Sequence, residues 1–330
     1  MNNKIKKNIL IAIVLTCLVL GGLFFAIRKT ISIEADNLAT KNSQAQNKAV
    51  TADEKVEPIK ILFVGDMMFD RYIRQVSDRN GYDFVFRKVE NLLKGNDLVV
   101  GNLEGPITDN KSVSVDSVIG EKNNYVFTFD QRVPAALAKE NIKLVNIGNN
   151  HISNFGSSGI ESTRKYLAQS SIDFFGDPEK EDGRLIVKTL KNFKIAFVNY
   201  NQFVPGAEQK TNADISKAKI LQADVVVLYA HWGKEFENEP ADKLKSLAHE
   251  FIDNGADLII GSHPHVVQPK EEYNGKLIYY SLGNFIFDQY FDLNTQKGMA
   301  VQIEINQKSK KIVSKEFQIT MDNSGQTLQK

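Results

Sequence analysis

Cysteine is almost absent from this 330-residue chain. Cys17 stands alone, which excludes an intramolecular disulfide and any cysteine-based zinc site. An excess of charge is missing too: 41 Lys and Arg face 40 Asp and Glu, so no global field draws in a polyanion and no nucleic-acid partner is expected. Internal repeats are absent, and one short polar stretch is the only segment poor in aromatics. Histidine is scarce, with five in all. Apolar residues are plentiful: 42% of the chain is hydrophobic and 9% aromatic, too much for a disordered polymer. The length allows one large domain or two small ones.

The first apolar concentration is Ile9 to Ile27, an uncharged run. As a helix rising ~1.5 Å per residue it spans roughly 28 Å, close to the ~30 Å hydrocarbon core of a bilayer. Lys4, Lys6 and Lys7 precede it and Arg28 and Lys29 follow, a narrow bias toward a cytoplasmic N-terminus. Three readings compete. A cleaved signal peptide wants a shorter apolar core and small residues at the cut, where Arg28 and Lys29 stand. A lipoprotein would use Cys17, but ten further apolar residues follow it. An uncleaved, single-pass anchor in the cell membrane fits best, its lipid-facing Cys17 inert. Residues 1–8 are then a cytoplasmic tail and 9–27 the anchor, leaving the main domain extracellular or periplasmic. Residues 28–57 have the composition of a solvated linker, with enough Ala for part of a helix. The folded domain, 58–330, carries a charge of about −2 and is long enough to bury a large core.

From Pro58 onward, short apolar runs alternate with stretches of helical period, the pattern of an α/β fold with interior strands. The expected strands are 60–65, 97–101, 143–148, 194–200, 224–230, 257–261 and 276–282. Expected helices are 83–94, 131–140, 158–170 and 240–254, and 299–305 with 311–319 reads as a closing antiparallel pair. The residues just past each run carry the chemistry: Asp66, then Asn102 and Glu104, then Asn149, Asn150 and His151, then His231, then His263 and His265, then Asn284. In an α/β sheet these are carboxyl ends of neighbouring strands, where ligands bind. Four of the five histidines occupy this rim; His249, in a helical stretch, reads as structural. Any one of the four is explained by a hydrogen bond at a strand end. Together they point to a shared site, since neutral imidazole is the commonest metal ligand and general acid or base. Pro264 stiffens the His-Pro-His turn.

The segments GDMMFDR (65–71), GNLEGP (101–106), GNNHISNFG (148–156), AHWG (230–233), GSHPHVVQP (261–269) and YSLGNFIFDQ (280–289) resemble the poly-γ-glutamate capsule biosynthesis family, CapA. That family is similar in turn to the calcineurin-like metallophosphoesterases. The resemblance implies an α/β fold, a four-layer α/β/β/α sandwich, with one or two divalent ions (Mn, Fe, Zn or Mg) at the strand ends. By residue it places Asp66, Asn150, His231, His263 and His265 as metal ligands, with Glu104 expected to supply a carboxylate close to the position of a missing aspartate, and His151 as the group that protonates a leaving group. His151 and Asp66 are expected to carry any catalysis, and Arg71, Asn149 and Asn284 to contact substrate. Two positions depart from the pattern: Met68 stands in place of a histidine and Asn102 in place of a bridging aspartate. A thioether is a soft ligand and an amide cannot neutralise two cations, so the pocket is expected to hold one metal more readily than two.

The leading expectation is a membrane-anchored protein of synthesis, export or attachment of poly-γ-glutamate or a related anionic envelope polymer. Its partners would be that polymer, membrane-bound polymer synthetase subunits and the lipid bilayer. A metal-dependent envelope hydrolase acting on a phosphoester or amide is the second reading. A polymer-binding module without turnover is the third.

Overall fold

Runs such as Ile61-Leu-Phe-Val are apolar at consecutive positions because the strand is covered on both faces, as a computed structural model describing residues 2–50 and 57–330 makes plain. The chain divides into two units, Met1–Val56 and Glu57–Lys330. The first contains the helix α1 (Asn3–Val50). Its Asn3–Leu38 portion is long and apolar enough to cross a membrane, which is consistent with an anchor or a signal sequence. The helix continues to Val50, through much of the segment whose composition reads as a linker. No Gly or Pro lies between Gly22 and Pro58 to stop it. Residues 51–56 of that segment lie outside the described residues.

The second unit contains fourteen strands among the described residues. In chain order they are β1 (Ile59–Met67), β2 (Leu98–Leu103), β3 (Ile142–Asn146), β4 (Asp173–Phe175), β5 (Leu185–Leu190), β6 (Phe193–Asn201) and β7 (Val225–His231). The remainder are β8 (Leu258–Ser262), β9 (Lys270–Tyr273), β10 (Lys276–Tyr279), β11 (Asn284–Ile286), β12 (Lys297–Ile305), β13 (Ile312–Met321) and β14 (Thr327–Gln329). The helices are α2 (Arg71–Asn80), α3 (Glu90–Lys94), α4 (Val133–Lys139), α5 (Gly156–Gln169), α6 (Ala207–Ile220) and α7 (Asp242–Asn254).

The strands form two sheets. One has the order β14-β13-β12-β1-β2-β3-β4 with β11 also on β1; the other runs β5-β6-β7-β8-β10-β9. The strands β1 to β4 and β6-β7-β8-β10 are parallel; antiparallel strands flank them at β12 to β14 in the first sheet and at β5 and β9 in the second, and β4 ends the first sheet in parallel. Alternation along β1 shows the layering: Ile61 and Phe63 face the second sheet, in a core shared with Phe197, Val227, Tyr229 and Ile260. Leu62 and Val64 face the helices, packing with Ile73 of α2, Leu137 of α4 and Leu167 of α5. Beyond the second sheet, Ile215 of α6 and Phe251 of α7 cover Val198, Leu228 and Ile259. The result is the four-layer α/β/β/α sandwich implied by the resemblance.

Candidate metal centre

The rim residues converge because two sheets turn their parallel strands' carboxyl ends to the same side. Asp66 ends β1, Glu104 follows β2, Asn149 to His151 follow β3, His231 ends β7, and His263 to His265 follow β8. Close backbone approach fixes the neighbours. A Cβ on Gly65 would lie 1.9 Å from Gly283 O, so glycine alone lets the 282–284 segment cross β1. That crossing pairs Asp66 with Asn284 in register and joins Asp66 N–H to Gly283 O at 3.0 Å. On the other sheet the His-Pro-His turn holds both histidines at positive φ, His263 at 95° and His265 at 59°. Such conformations cost about 1–3 kcal/mol each outside glycine and persist where the surroundings over-determine them.

Asp66, Glu104, His231, His263 and His265 are all buried. Three overlapping groups have ligand atoms within 4.8 Å of one another: Glu104 with His231 and His263, Asp66 with Glu104 and His265, and Glu235 with His263 and His265. His231 Nε2 meets Asn150 Oδ1 at 2.8 Å and its Nδ1 meets Ser262 Oγ at 3.1 Å. Asp66 Oδ2 accepts the His263 N–H at 3.0 Å and lies 3.4 Å from His265 Nδ1. His265 Nδ1 also meets Asn284 Oδ1 at 3.0 Å, while its Nε2 lies 3.5 Å from Glu104 Oε1. Burial pushes Asp66 up, but the hydrogen bond and electrostatic interaction with His265, together with hydrogen bonds from Asn102 Nδ2 and the His263 N–H, outweigh it and leave the carboxyl below its ordinary value. Glu104 goes the other way, raised well above the usual range by burial and then by the Asp66 charge. Burial, reinforced by neighbouring imidazoles, holds His231 well below its ordinary value and His263 down to about 3. Neutral imidazoles are the ligand form.

A divalent ion suits this donor set. Glu104 Oε1 and His263 Nδ1 are buried without a hydrogen-bond partner among the described residues, and buried polar atoms are rarely left so. A cation would also relieve the repulsion between Asp66 and Glu104. Imidazole with carboxylate fits Mn, Fe or Zn, with no soft donor pointing in. Met68 is fully buried in the core beneath the helices, its sulfur accepting the Asp70 N–H at 3.0 Å. Asn102 is likewise engaged: its Nδ2 donates to Asp66 Oδ1 at 2.8 Å, and its Oδ1 accepts from Asn146 and Asn149 at 3.0 and 3.1 Å.

A cleft of about 380 Å³ opens beside the donors, lined in part by Arg71, His151, Glu235 and His265. Arg71 lies over Phe127 and Phe287, pairs with Asp288, and donates to Asn124 Oδ1 at 3.0 Å; its Nε is buried without a partner among the described residues. His151 packs on Phe127 and directs Nδ1 at Asn154 Oδ1, 3.2 Å away. That oxygen also accepts the Phe127 N–H, which fixes the amide orientation. Burial outweighs the Asn154 bond and lowers His151 to about 4, so at neutral pH it offers one lone pair and one committed N–H. Asn149 and Asn284 do not line this cleft. Asn149 caps the turn by accepting the N–H groups of His151 and Ile152, and Asn284 is buried against His265, Gln289 and Thr295. His249 hydrogen-bonds Glu271 and stacks on Tyr273, away from the rim.

Sequence reasoning missed Glu235, Ser262 and Asp288. Glu235 lies in an acidic loop with Glu237 and Glu239, and nothing in its spacing from His231 separates it from them. Asp288 stands in the motif at 280–289, yet its partner Arg71 lies 217 residues earlier in the chain.

Fold and site together define an α/β/β/α sandwich with an imidazole-carboxylate centre at the strand ends. The chain belongs to the bacterial capsule synthesis protein family PGA_cap, which matches residues 60–289. The capsule biosynthesis protein CapA of Bacillus anthracis is 34% identical over 260 residues, covering 71% of this chain and 61% of that protein. The PGA biosynthesis protein CapA of Bacillus subtilis is 35% identical over 244 residues, covering 69% and 63%. The chain therefore spans a little over three fifths of the length of these curated relatives. Among solved structures, the NAD nucleotidase NadN of Haemophilus influenzae superposes with a TM-score of 0.46 at 12% identity, over 83% of this chain and 53% of that one.

Proposed function

We propose that this CapA-like chain takes part in the synthesis, export or attachment of poly-γ-glutamate or a related anionic envelope polymer. In this reading α1 is a single-pass anchor with its N-terminus in the cytoplasm, the folded unit lies outside, and membrane-bound synthetase subunits are its partners. The observation that carries the reading is the cleft, where a guanidinium stands beside a set of metal donors. Asp66, Glu104, Asn150, His231, His263 and His265 would hold one or two divalent ions. Such an ion supplies Lewis-acid polarisation of a bound carbonyl or phosphoryl oxygen. The chain's own residues do the rest. Arg71 is braced by Asp288 and two aromatic faces, and from the cleft wall its guanidinium would pair with a carboxylate of the polymer. Neutral His151 accepts a proton or hydrogen bond at the cleft wall, and Phe127 and Phe287 exclude water behind it.

The second reading, hydrolysis of an envelope phosphoester or amide, is favoured by His151 lining the same cleft as the donors. One experiment separates the readings. The full chain in detergent is incubated with Mn²⁺ and poly-γ-glutamate, and with a panel of phosphodiesters and γ-glutamyl amides, with and without chelator. Polymer binding that falls on Arg71→Ala, without turnover, supports polymer handling. Chelator-sensitive turnover supports the hydrolase. Neither binding nor turnover overturns both.

A further inference from the structure

The two halves of the centre differ in donors. Glu104, His231 and His263 group on one side, and Asp66, Glu104 and His265 on the other, so Glu104 is shared. The positions that would strengthen the second half are spent elsewhere: the Met68 sulfur is turned into the core and both ends of the Asn102 amide are engaged. With Asp66 and Glu104 alone, two carboxylates would face two divalent ions in a buried pocket, and uncompensated buried charge is costly.

Glu235 answers that deficit from a different element. It lies four residues beyond His231, in the loop between β7 and α7, and lines the cleft. Its carboxylate falls within 4.8 Å of ligand atoms on both His263 and His265. The only Lys or Arg in that lining is Arg71, already paired with Asp288. Independently, His263 is 4% exposed and its Nδ1 has no hydrogen-bond partner among the described residues. We propose that Glu235 is a direct ligand of a divalent cation held with His263 and His265, replacing the donors lost at Met68 and Asn102, so that the chain holds two ions. The inference rests on the metal reading above and deepens it: a carboxylate from the cleft wall reaches one donor of each half, His263 of the first and His265 of the second.

The test is metal stoichiometry and Mn²⁺ paramagnetic resonance on the full chain in detergent. The unaltered protein should bind two equivalents of Mn²⁺ and show the signal of a coupled pair. Glu235→Gln should keep one equivalent, give an uncoupled Mn²⁺ spectrum, and bind the second ion at least ~10-fold more weakly. Its metal-free melting temperature should be unchanged. Glu237→Gln, on the same loop and paired with Lys234, should retain both ions. Two equivalents with unaltered affinity in Glu235→Gln, or a single equivalent in both proteins, would overturn the assignment of Glu235 while leaving the metal reading intact. No metal in the unaltered protein would overturn the metal reading, and this inference with it.

Discussion

Asn284 shows how one amide sets the character of a neighbour. Its Nδ2 is committed to Gln289 Oε1 and Thr295 O, each at 2.9 Å, which leaves Oδ1 to accept from His265 Nδ1. The proton is thereby held on Nδ1, and the Nε2 lone pair is aimed at Glu104, where a ligand atom is useful. Asn284→Ala should therefore weaken metal binding by about 10–100-fold, read by competition with a chromophoric chelator; unchanged affinity would make the amide merely structural. His151 belongs to a different test. A positioned acid or base is worth ~10²–10⁴-fold in rate. His151→Ala should keep the metal and the melting temperature while lowering any hydrolytic turnover by about that factor. If the residue only completes the turn with Asn154, stability should fall and the rate per folded molecule should hold.

At the scale of elements, Glu140 is misplaced by electrostatics: it follows the last turn of α4, where a negative charge meets the helix's negative end. It is buried, and burial, opposed by Lys94, raises its pKa. A raised folded value means that the folded chain binds the proton more readily than the unfolded one. Stability from this group is thus present at low pH and lost as pH rises through the raised value. Glu140→Gln should remove that slope and stabilise the protein by ~0.3–1 kcal/mol at pH 7, seen in urea midpoints at pH 4 and pH 7. Gly65→Ala should do the reverse, costing ~1–3 kcal/mol or more, because its Cβ has nowhere to go beside Gly283 O. The central strands were legible in the sequence because burial on both faces writes an unbroken apolar run. The helix α2 was not: its segment RYIRQVSDRN is polar, and its start is set by Asp70, which accepts from Arg71 N, Thr128 N and Ser112 Oγ. α6 escaped notice because it buries small or polar residues, Thr211, Asp214 and Ala218, around a single isoleucine. The stretch 83–94, expected as one helix, is a short turn at Phe84–Phe86 followed by α3. The site was legible residue by residue where a donor ends a strand. Loop donors such as Glu235 leave no periodic trace.

For the whole molecule, the N-terminal helix makes a simple prediction. Protease added to protoplasts should remove the folded unit and leave a short fragment containing α1; a protected domain, or a mature N-terminus near residue 30, would overturn the anchored topology. The sandwich itself has a seam. Asp66 and Glu104 hang from one sheet, His231, His263 and His265 from the other. An ion between them is a rivet, and prising the layers apart would break its bonds as well as open the apolar interior. Free ion at 100 times the dissociation constant would add ~2.7 kcal/mol to stability, so chelation should lower the melting temperature. Neither layer alone carries the full donor set, and His265 emerges late in synthesis. A chain threaded unfolded across a bilayer would arrive with its rivet hole unmade, and would take its metal from whichever compartment it folds in.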